Sequence, residues 1–482
     1  MRISAIIATL FATTFASQAF AAGSYLLIIP TKSSHVSLSV SLTGATLPPA
    51  KLNKAYSADL NDYLSITGKP ADYSDVTWSS VSGNLPEGLQ LTSKGFIDGT
   101  PVKVELKSFE ISAAYKNKND SAFFSLDVAD SNKFATAVGV GSYHACAIIS
   151  GGDVYCWGNN DAGQVGATSV TKTASPIQVA NLPKVKELHV GSNTTCALTG
   201  SNEIYCWGFN NQGQLGSGST NNSATPVKLN FSAPVRAMNF RYNSGCAMLT
   251  TGDTECWGAG PWTTSSVALT PTNIPFLANA KQVGIGIDHR CLLTTGGGVS
   301  CWGGNYSGEL GDGTQVDKST PSQTVGLSSG VSKLIVGGRH SCVITTTNDV
   351  RCWGPNGYGQ LGLGTNRPLI STVPETSNQF SAVQNLIVGM NSVCAITTGG
   401  ASQCVGSNIY SLLNPDVGSN SVVAQTSLKG VPSTIVGIGL ESTNSCALLA
   451  DGKIMCLGSN AYGQLGNGNF NSVSTAATVQ FN

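Results

Sequence analysis

Charge is scarce in this chain: 11% of its 482 residues are Asp, Glu, Lys or Arg, against roughly 25% in an average globular protein. The 26 basic residues equal the 26 acidic ones, so the formal net charge is zero. A nucleic-acid binder needs a basic excess to meet phosphate charge, so nucleic acid is not expected as a partner. Past the first residues no run approaches ~18 unbroken apolar positions, which argues against an integral membrane segment. Histidine is rare as well, with five residues. A disordered chain is ruled out by an apolar content of 41%. What abounds is glycine, 56 residues, with Ser, Thr and Asn beside it. That composition suits an all-β, exported protein with many tight turns, and the length allows two or three domains.

The N-terminus reads as a targeting segment. Met1-Arg2 supplies a positive start, the stretch from Ile3 to Ala16 is apolar and small, and Ala19-Phe20-Ala21 fits the A-x-A rule. Residues 1–21 are therefore expected to be a signal peptide, cleaved before Ala22. The mature chain would then be secreted, periplasmic or cell-surface.

The 14 cysteines form seven pairs: Cys146/Cys156, Cys196/Cys206, Cys246/Cys256, Cys291/Cys301, Cys342/Cys352, Cys394/Cys404 and Cys446/Cys456. Each pair is ten positions apart, and the pairs recur about every 50 residues, the signature of a propeller or solenoid. A turn such as Gly151-Gly152-Asp153 lies inside each pair, with apolar residues before it and a short strand after. That pattern predicts a β-hairpin with Cys facing Cys. Three readings of the thiols stand. Cross-hairpin disulfides are favoured by an oxidising compartment and contribute about 2–3 kcal/mol each in the chain-entropy model. Reduced structural cysteine is the second. Metal ligation is the third, and it lacks the two-to-four-residue ligand spacing of a zinc site. No metal and no cofactor is expected.

After the second Cys comes Trp157, Trp207, Trp257, Trp302 or Trp353, then Val405 and Leu457 in the last two copies. A glycine follows in all seven copies. An Asn-rich turn leads to Gly163-Gln164-Val165-Gly166, Gly213-Gln214-Leu215-Gly216, Gly308-Glu309-Leu310-Gly311, Gly359-Gln360-Leu361-Gly362 and Gly463-Gln464-Leu465-Gly466. Copies three and six lack this element. These strings resemble the repeat of the regulator of chromosome condensation family. The resemblance covers residues 134–482 and implies a seven-bladed β-propeller with four strands per blade. Residues 22–133 contain no Cys. Their alternating run Val36–Leu42 reads as strand. The strings Leu85-Pro86-Glu87-Gly88-Leu89-Gln90-Leu91 and Gly95-Phe96-Ile97-Asp98-Gly99-Thr100-Pro101 resemble putative-Ig, cadherin-like domains over residues 47–128. That implies an Ig-like β-sandwich. Asp130-Ser131-Asn132-Lys133 reads as the linker.

Catalytic signals are weak, and no catalytic residue is assigned. Gly326-Leu327-Ser328-Ser329-Gly330 matches G-x-S-x-G but would sit in a loop between strands, not on a strand-to-helix elbow. His144, His289 and His340 stand two before the first Cys, where the sister copies carry Thr194, Ser244, Ser392 and Asn444. An invariably polar position suggests hydrogen bonding within the blade. Function must then lie where the copies differ. Three before the first Cys stand Tyr143, Asn193, Asn243, Asp288, Arg339, Asn391 and Thr443, one per blade, which predicts a ring on one face. Arg241, Tyr242, Ile287 and Met390 adjoin it, and Trp262 stands outside the repeat pattern. Tyr143, Arg241, Tyr242, Trp262, Asp288, Arg339 and Met390 are the candidate binding residues, because aromatic and Arg side chains dominate interfaces. The expectation is a non-enzymatic binding protein for a protein or glycan partner, and the resemblance implies inhibition of a secreted or periplasmic enzyme as a subclass. Guanine-nucleotide exchange on a small GTPase, which the resemblance implies, is one alternative. A propeller-based glycan-active enzyme is another.

Overall fold

The computed structural model describes residues 38–67, 73–103, 105–129, 134–260, 267–364, 368–414, 416 and 421–481. The signal-peptide reading, His35, the linker 130–133 and Trp262 lie outside them.

The N-terminal strands form the expected sandwich. One sheet orders Ala50–Lys51, Lys118–Ala129, Glu105–Tyr115 and Thr77–Ser82; the other orders Tyr56–Asp59, Phe96–Gly99 and Leu89–Leu91. A further antiparallel pair joins Ser39–Leu42 to Leu64–Thr67. Alternating positions of the long hairpin, such as Phe109, Ile111, Phe124 and Leu126, are buried between the layers.

The rest is a propeller of seven four-stranded sheets, each contiguous in sequence. Blade 1 comprises Ala135–Val140, His144–Ile149, Val154–Asn159 and Lys172–Gln178. Blades 2 to 7 span 185–228, 235–273, 280–323, 331–376, 383–426 and 435–478. In every blade the two cysteines are direct cross-strand partners. Of the three readings of the thiols, the disulfide one holds throughout. Cys146 is bonded to Cys156, Cys196 to Cys206, Cys246 to Cys256 and Cys291 to Cys301. Cys342 is likewise bonded to Cys352, Cys394 to Cys404 and Cys446 to Cys456. The paired Cα atoms are 4.0–4.1 Å apart. The sulfurs are core material: Cys146 and Cys156 of blade 1 pack against Val185, Ala197 and Trp207 of blade 2.

Among the described residues no strand is exchanged to close the ring. Blade 7 meets blade 1 through the same kind of cluster that joins the other blades, with Leu448, Ile454 and Leu465 against Ala145, Ile149 and Trp157. The Trp payload explains why one aromatic recurs per copy: it fills the wedge between blades and is fully buried in all five positions. The glycine that follows it has φ between +82° and +112° in all seven copies. A Cβ on Gly158 would lie 2.5 Å from the Tyr143 carbonyl oxygen, so this glycine lets the loop carrying the ring residue fold down onto the third strand.

Candidate functional site

Each blade is an antiparallel meander. Its first-to-second and third-to-fourth connections therefore emerge on one face, and its cysteine hairpins emerge on the other. The first strands of neighbouring blades pack on one another and line the central channel. Five residues before the first Cys, at the channel mouth, five blades carry Gly141, Gly191, Gly286, Gly337 and Gly389. A Cβ on Gly141 would meet the Gly191 carbonyl oxygen at 2.4 Å, and one on Gly337 the Gly389 carbonyl oxygen at 2.6 Å. The two exceptions are Arg241 in blade 3 and Glu441 in blade 7, and they find each other across the mouth. Arg241 Nη2 lies 3.4 Å from Glu441 Oε1, and Nη1 donates to the Val336 carbonyl of blade 5 at 2.9 Å. One guanidinium thus ties three blades. Glu441 is only 4% exposed; burial raises its pKa despite the opposing pull of Arg241. Burial works against the charge on Arg241, but Tyr242 and Glu441 outweigh it and raise its pKa.

Beside this pair opens a cavity of about 990 Å³, lined among others by Ser142, Tyr242, Asp288, Arg290, Met390 and Glu441. The structure brings the ring candidates Tyr242, Asn243, Asp288, Ile287 and Met390 to this one cavity. A smaller cavity of about 220 Å³ opens between blades 6 and 7, lined by Asn391, Tyr410, Leu412, Ser442 and Thr443, and again by Glu441. The disulfides stand apart from both. Their third-strand members, Cys156, Cys206, Cys256, Cys301, Cys352, Cys404 and Cys456, are fully buried inside the blades and line neither cavity. Their role is to hold the hairpins, not to meet a ligand.

Not every candidate is a free side chain. Tyr242 is 7% exposed and has a left-handed backbone, φ 52°; it is part of the cavity floor, not an exposed anchor. Its hydroxyl is buried near the Arg241 guanidinium, and burial outweighs that charge and holds its pKa well above the usual phenol range. Arg241 is committed to the channel. Asp288 and Arg339 are exposed, and Tyr143 is exposed with its ring against Tyr462, centroids 5.1 Å apart. That contact shows what the ring position does locally: it meets the third-to-fourth loop of the preceding blade. Asn243 does so through Gln212 and Gln214, at 3.3 and 3.4 Å. Arg339 follows the one copy that has Glu309 in place of Gln, and its charge pulls the Glu309 pKa down against the larger opposing effect of burial.

Two of the three histidines bridge blades, contrary to the expectation of bonding within one blade. His144 Nε2 lies 2.9 Å from Thr195 Oγ1 of blade 2, and His289 Nε2 lies 2.8 Å from Ser341 Oγ of blade 5. Blade 6 has Val393 at the corresponding position, so His340 lacks the hydroxyl partner, and the polar group beside it is the Met390 backbone of blade 6. Burial pushes all three imidazoles down to about 3. They are neutral across the physiological range and closed to solvent, so they are poor proton shuttles. The G-x-S-x-G string lies between strands Lys318–Gln323 and Val331–Val336, with no elbow geometry.

Sequence reasoning missed two residues. Glu441 could have been found from its place in a column of glycines, opposite in charge to Arg241. Arg290 stands one before the first Cys and is 2% exposed. It reaches back to blade 3, donating to Ser244 Oγ at 3.1 Å and the Ala259 carbonyl at 3.0 Å. Blade 3 is a copy without the Gly-Gln-Leu-Gly element, and this guanidinium packs against its third strand. Burial lowers its pKa to about 10. The same face carries the exposed aromatics of the third-to-fourth loops: Tyr306 at 85%, Tyr410 at 62%, Phe470 at 45% and Tyr462 at 36%.

Comparison with known proteins follows this geometry. A model described as Regulator of chromosome condensation (RCC1) repeat matches residues 151–198, 201–239 and 296–344. A second model of that description matches 135–164, 185–214 and 331–360. A Putative Ig domain model matches 39–129. The ultraviolet-B receptor UVR8 of Arabidopsis thaliana is 30% identical over 166 residues, 33% of this chain and 37% of that one. The X-linked retinitis pigmentosa GTPase regulator of Mus musculus is 29% identical over 134 residues, 28% of this chain and 13% of that one. The human probable E3 ubiquitin-protein ligase HERC4 is 26% identical over 181 residues, 37% of this chain and 17% of that one. The matches thus span well under half the length of these relatives. Among solved structures, Prp20p of Saccharomyces cerevisiae superposes with a TM-score of 0.61 at 20% identity, covering 72% of this chain and 88% of that one. Human WBSCR16 gives 0.57 at 19% identity, covering 68% and 89%.

Proposed function

The chain carries repeats of the regulator of chromosome condensation (RCC1) family behind an Ig domain, and from that premise we propose that it is an exported interaction protein that binds a protein partner through the loop face at the channel mouth. The observation that carries this reading is the segregation of side chains. What recurs in the blades is buried as Trp, Cys and Gly, whereas the varying residues share one face with the exposed third-to-fourth-loop aromatics Tyr306, Tyr410, Tyr462 and Phe470. A propeller presents those loops in fixed positions, so little freedom is lost on association. Prp20p, of the same fold, is described by its binding to Gsp1p and histones, which supports a protein as the class of partner. The seven disulfides fit an oxidising compartment, and so support export. The Ig domain, residues 22–133 before the propeller at 134–482, then serves as spacer or attachment module. Where the partner is a secreted enzyme, occupation of its active site by the loop face would make the propeller an inhibitor.

A photo-crosslinking amino acid at Tyr306 or Tyr462 tests the face, with Phe276, an exposed residue in the connection to the next blade, as the control. The expected result is one partner crosslinked from both loop positions and not from Phe276. Crosslinks from Phe276 alone would sink the reading. Mass measurement of the exported chain tests the other half: the mature N-terminus should be Ala22.

A further inference from the structure

Five third-to-fourth loops carry the Gly-Gln-Leu-Gly element and seat on the next blade. Gly163 lies against Ala224 of blade 2, and Gly213 against Leu269 of blade 3, so closely that a Cβ would clash. Blades 3 and 6 lack the element. The two cavities open at the junctions after these two blades: the larger between blades 3 and 4, the smaller between blades 6 and 7. These junctions are three blades apart in one direction and four in the other, hence nearly opposite around the ring. Glu441 lines both cavities, so each reaches the channel mouth.

We propose that the two cavities are the ends of one groove across the loop face, and that it receives an extended segment of the protein partner with a basic side chain set against Asp288. This inference rests on the protein-binding reading of the same face. The walls near the centre offer uncharged polar groups, Ser142, Ser192, Gln212 and Ser442, around the Arg241–Glu441 pair, and such groups suit the N–H and C=O groups of an extended backbone. At the larger end Asp288 is exposed and makes no ion pair among the described residues, while the Arg290 guanidinium beneath it donates to the carbonyls of Gly286 and Ala259. Asp288 acts on the Arg290 charge, and Lys318 lines the same cavity, but neither cation forms an ion pair with Asp288; a Lys or Arg of the segment supplies that pair. The buried Tyr242 hydroxyl borders the same end. At the smaller end Tyr410 and the half-buried Ile409 offer an apolar seat, with Tyr410 held in a left-handed conformation, φ 63°, and 62% exposed. The segment therefore has a polarity: basic at the blade 3/4 end and apolar at the blade 6/7 end.

Random peptides of ~12 residues, about 40 Å when extended, displayed on phage and panned on the purified whole protein, test this. Enriched peptides should share a Lys or Arg and an apolar residue at a constant separation. Asp288→Lys should weaken their binding at least ~tenfold, and Asp288→Asn by less. Ser442→Trp, which fills the smaller end, should weaken it independently. Circular dichroism confirms folding of each variant, and Asp288→Asn, which keeps the side-chain shape, decides the case if the others misfold. No enrichment over an unrelated protein overturns the groove. So do enriched peptides that bind all three variants like the parent. If the partner crosslinked from Tyr306 and Tyr462 is still captured by the groove variants, the groove fails while the binding face stands.

Discussion

The indole Nε1 of Trp157 donates to the carbonyl oxygen of Gln464 at 2.9 Å, across 307 positions of sequence. The same bond joins Trp207 to Gln164, Trp257 to Gln214 and Trp353 to Glu309, at 2.9–3.0 Å. Ring closure is therefore one more instance of an ordinary blade junction. The exception is Trp302, which follows the copy without the loop element; its Nε1 has no partner among the described residues.

Trp157 and Trp302 consequently differ in a measurable way. Replacing either by Phe removes similar apolar volume, but only Trp157→Phe also abandons a buried carbonyl. Trp157→Phe should cost about 1–2 kcal/mol more than Trp302→Phe in urea unfolding. Equal losses would mean that the indole bond adds nothing to closure.

The buried histidines set an acid limit. Unfolded imidazoles take up protons near pH 6.5, whereas folding pushes His144, His289 and His340 down to about 3. The unfolded chain thus binds more protons between these values. Their contribution is whole above about pH 6.5 and is lost as pH falls towards 3, at ~1.4 kcal/mol per pH unit per histidine. Urea midpoints at pH 7, 5 and 4 should fall steeply. His340→Asn should flatten the slope by about a third, since one of three such groups is removed. An unchanged slope would show that His340 is not buried neutral.

Much of this architecture was legible in the sequence, for a physical reason. A ten-residue Cys spacing around a turn predicts a hairpin with Cys opposite Cys, and Cys146 does pair with Cys156. The same register recurs at Cys196 with Cys206, Cys291 with Cys301, Cys342 with Cys352, Cys394 with Cys404 and Cys446 with Cys456. Repetition then gave the ring, because one position per copy becomes one position per blade. What repetition cannot encode is a contact made once. Arg241 and Glu441 are 200 positions apart and belong to different copies. The burial of Tyr242 likewise depends on neighbours across the channel mouth, so its aromatic character alone misled.

Each disulfide closes a short loop within one blade. Replacing Cys246 and Cys256 by Ala should therefore cost about 2–3 kcal/mol from loop closure, with a further loss from buried sulfur, and leave the ring intact. Mass mapping of the unreduced parent should find seven bridges, each between residues ten apart, as in the structure. A free-thiol count near fourteen under oxidising conditions would contradict this.

On the binding face, exposure separates two kinds of substitution. Tyr143, Tyr306 and Arg339 are exposed, so the triple Ala variant should keep its melting temperature within a few degrees. It should weaken the partner complex by at least ~2 kcal/mol if these are anchors. Tyr242→Ala empties a buried site and should cost ~3 kcal/mol or more of fold stability. A Tyr242→Ala variant as stable as the parent would return that residue to the exposed surface.

The pair at the channel mouth offers the sharpest test, because five sister blades have glycine where Arg241 and Glu441 stand. Glu441→Ala leaves a guanidinium held by the Val336 carbonyl with no carboxylate beside it. Arg241→Ala leaves a carboxylate that burial already pushes towards its neutral form. Breaking a buried pair from one side costs about 3–5 kcal/mol when the remaining charge stays dry. Arg241, with 19% of its side chain exposed, should fall at or below the lower end of that range. Removing both charges returns the mouth to the uncharged state of the other blades. The double Ala variant should therefore be less destabilised than the sum of the two singles, with a coupling of about 1–3 kcal/mol in a double-mutant cycle. Strict additivity would mean that the two side chains do not hold blades 3 and 7 together, and that the mouth of the channel is closed by packing alone.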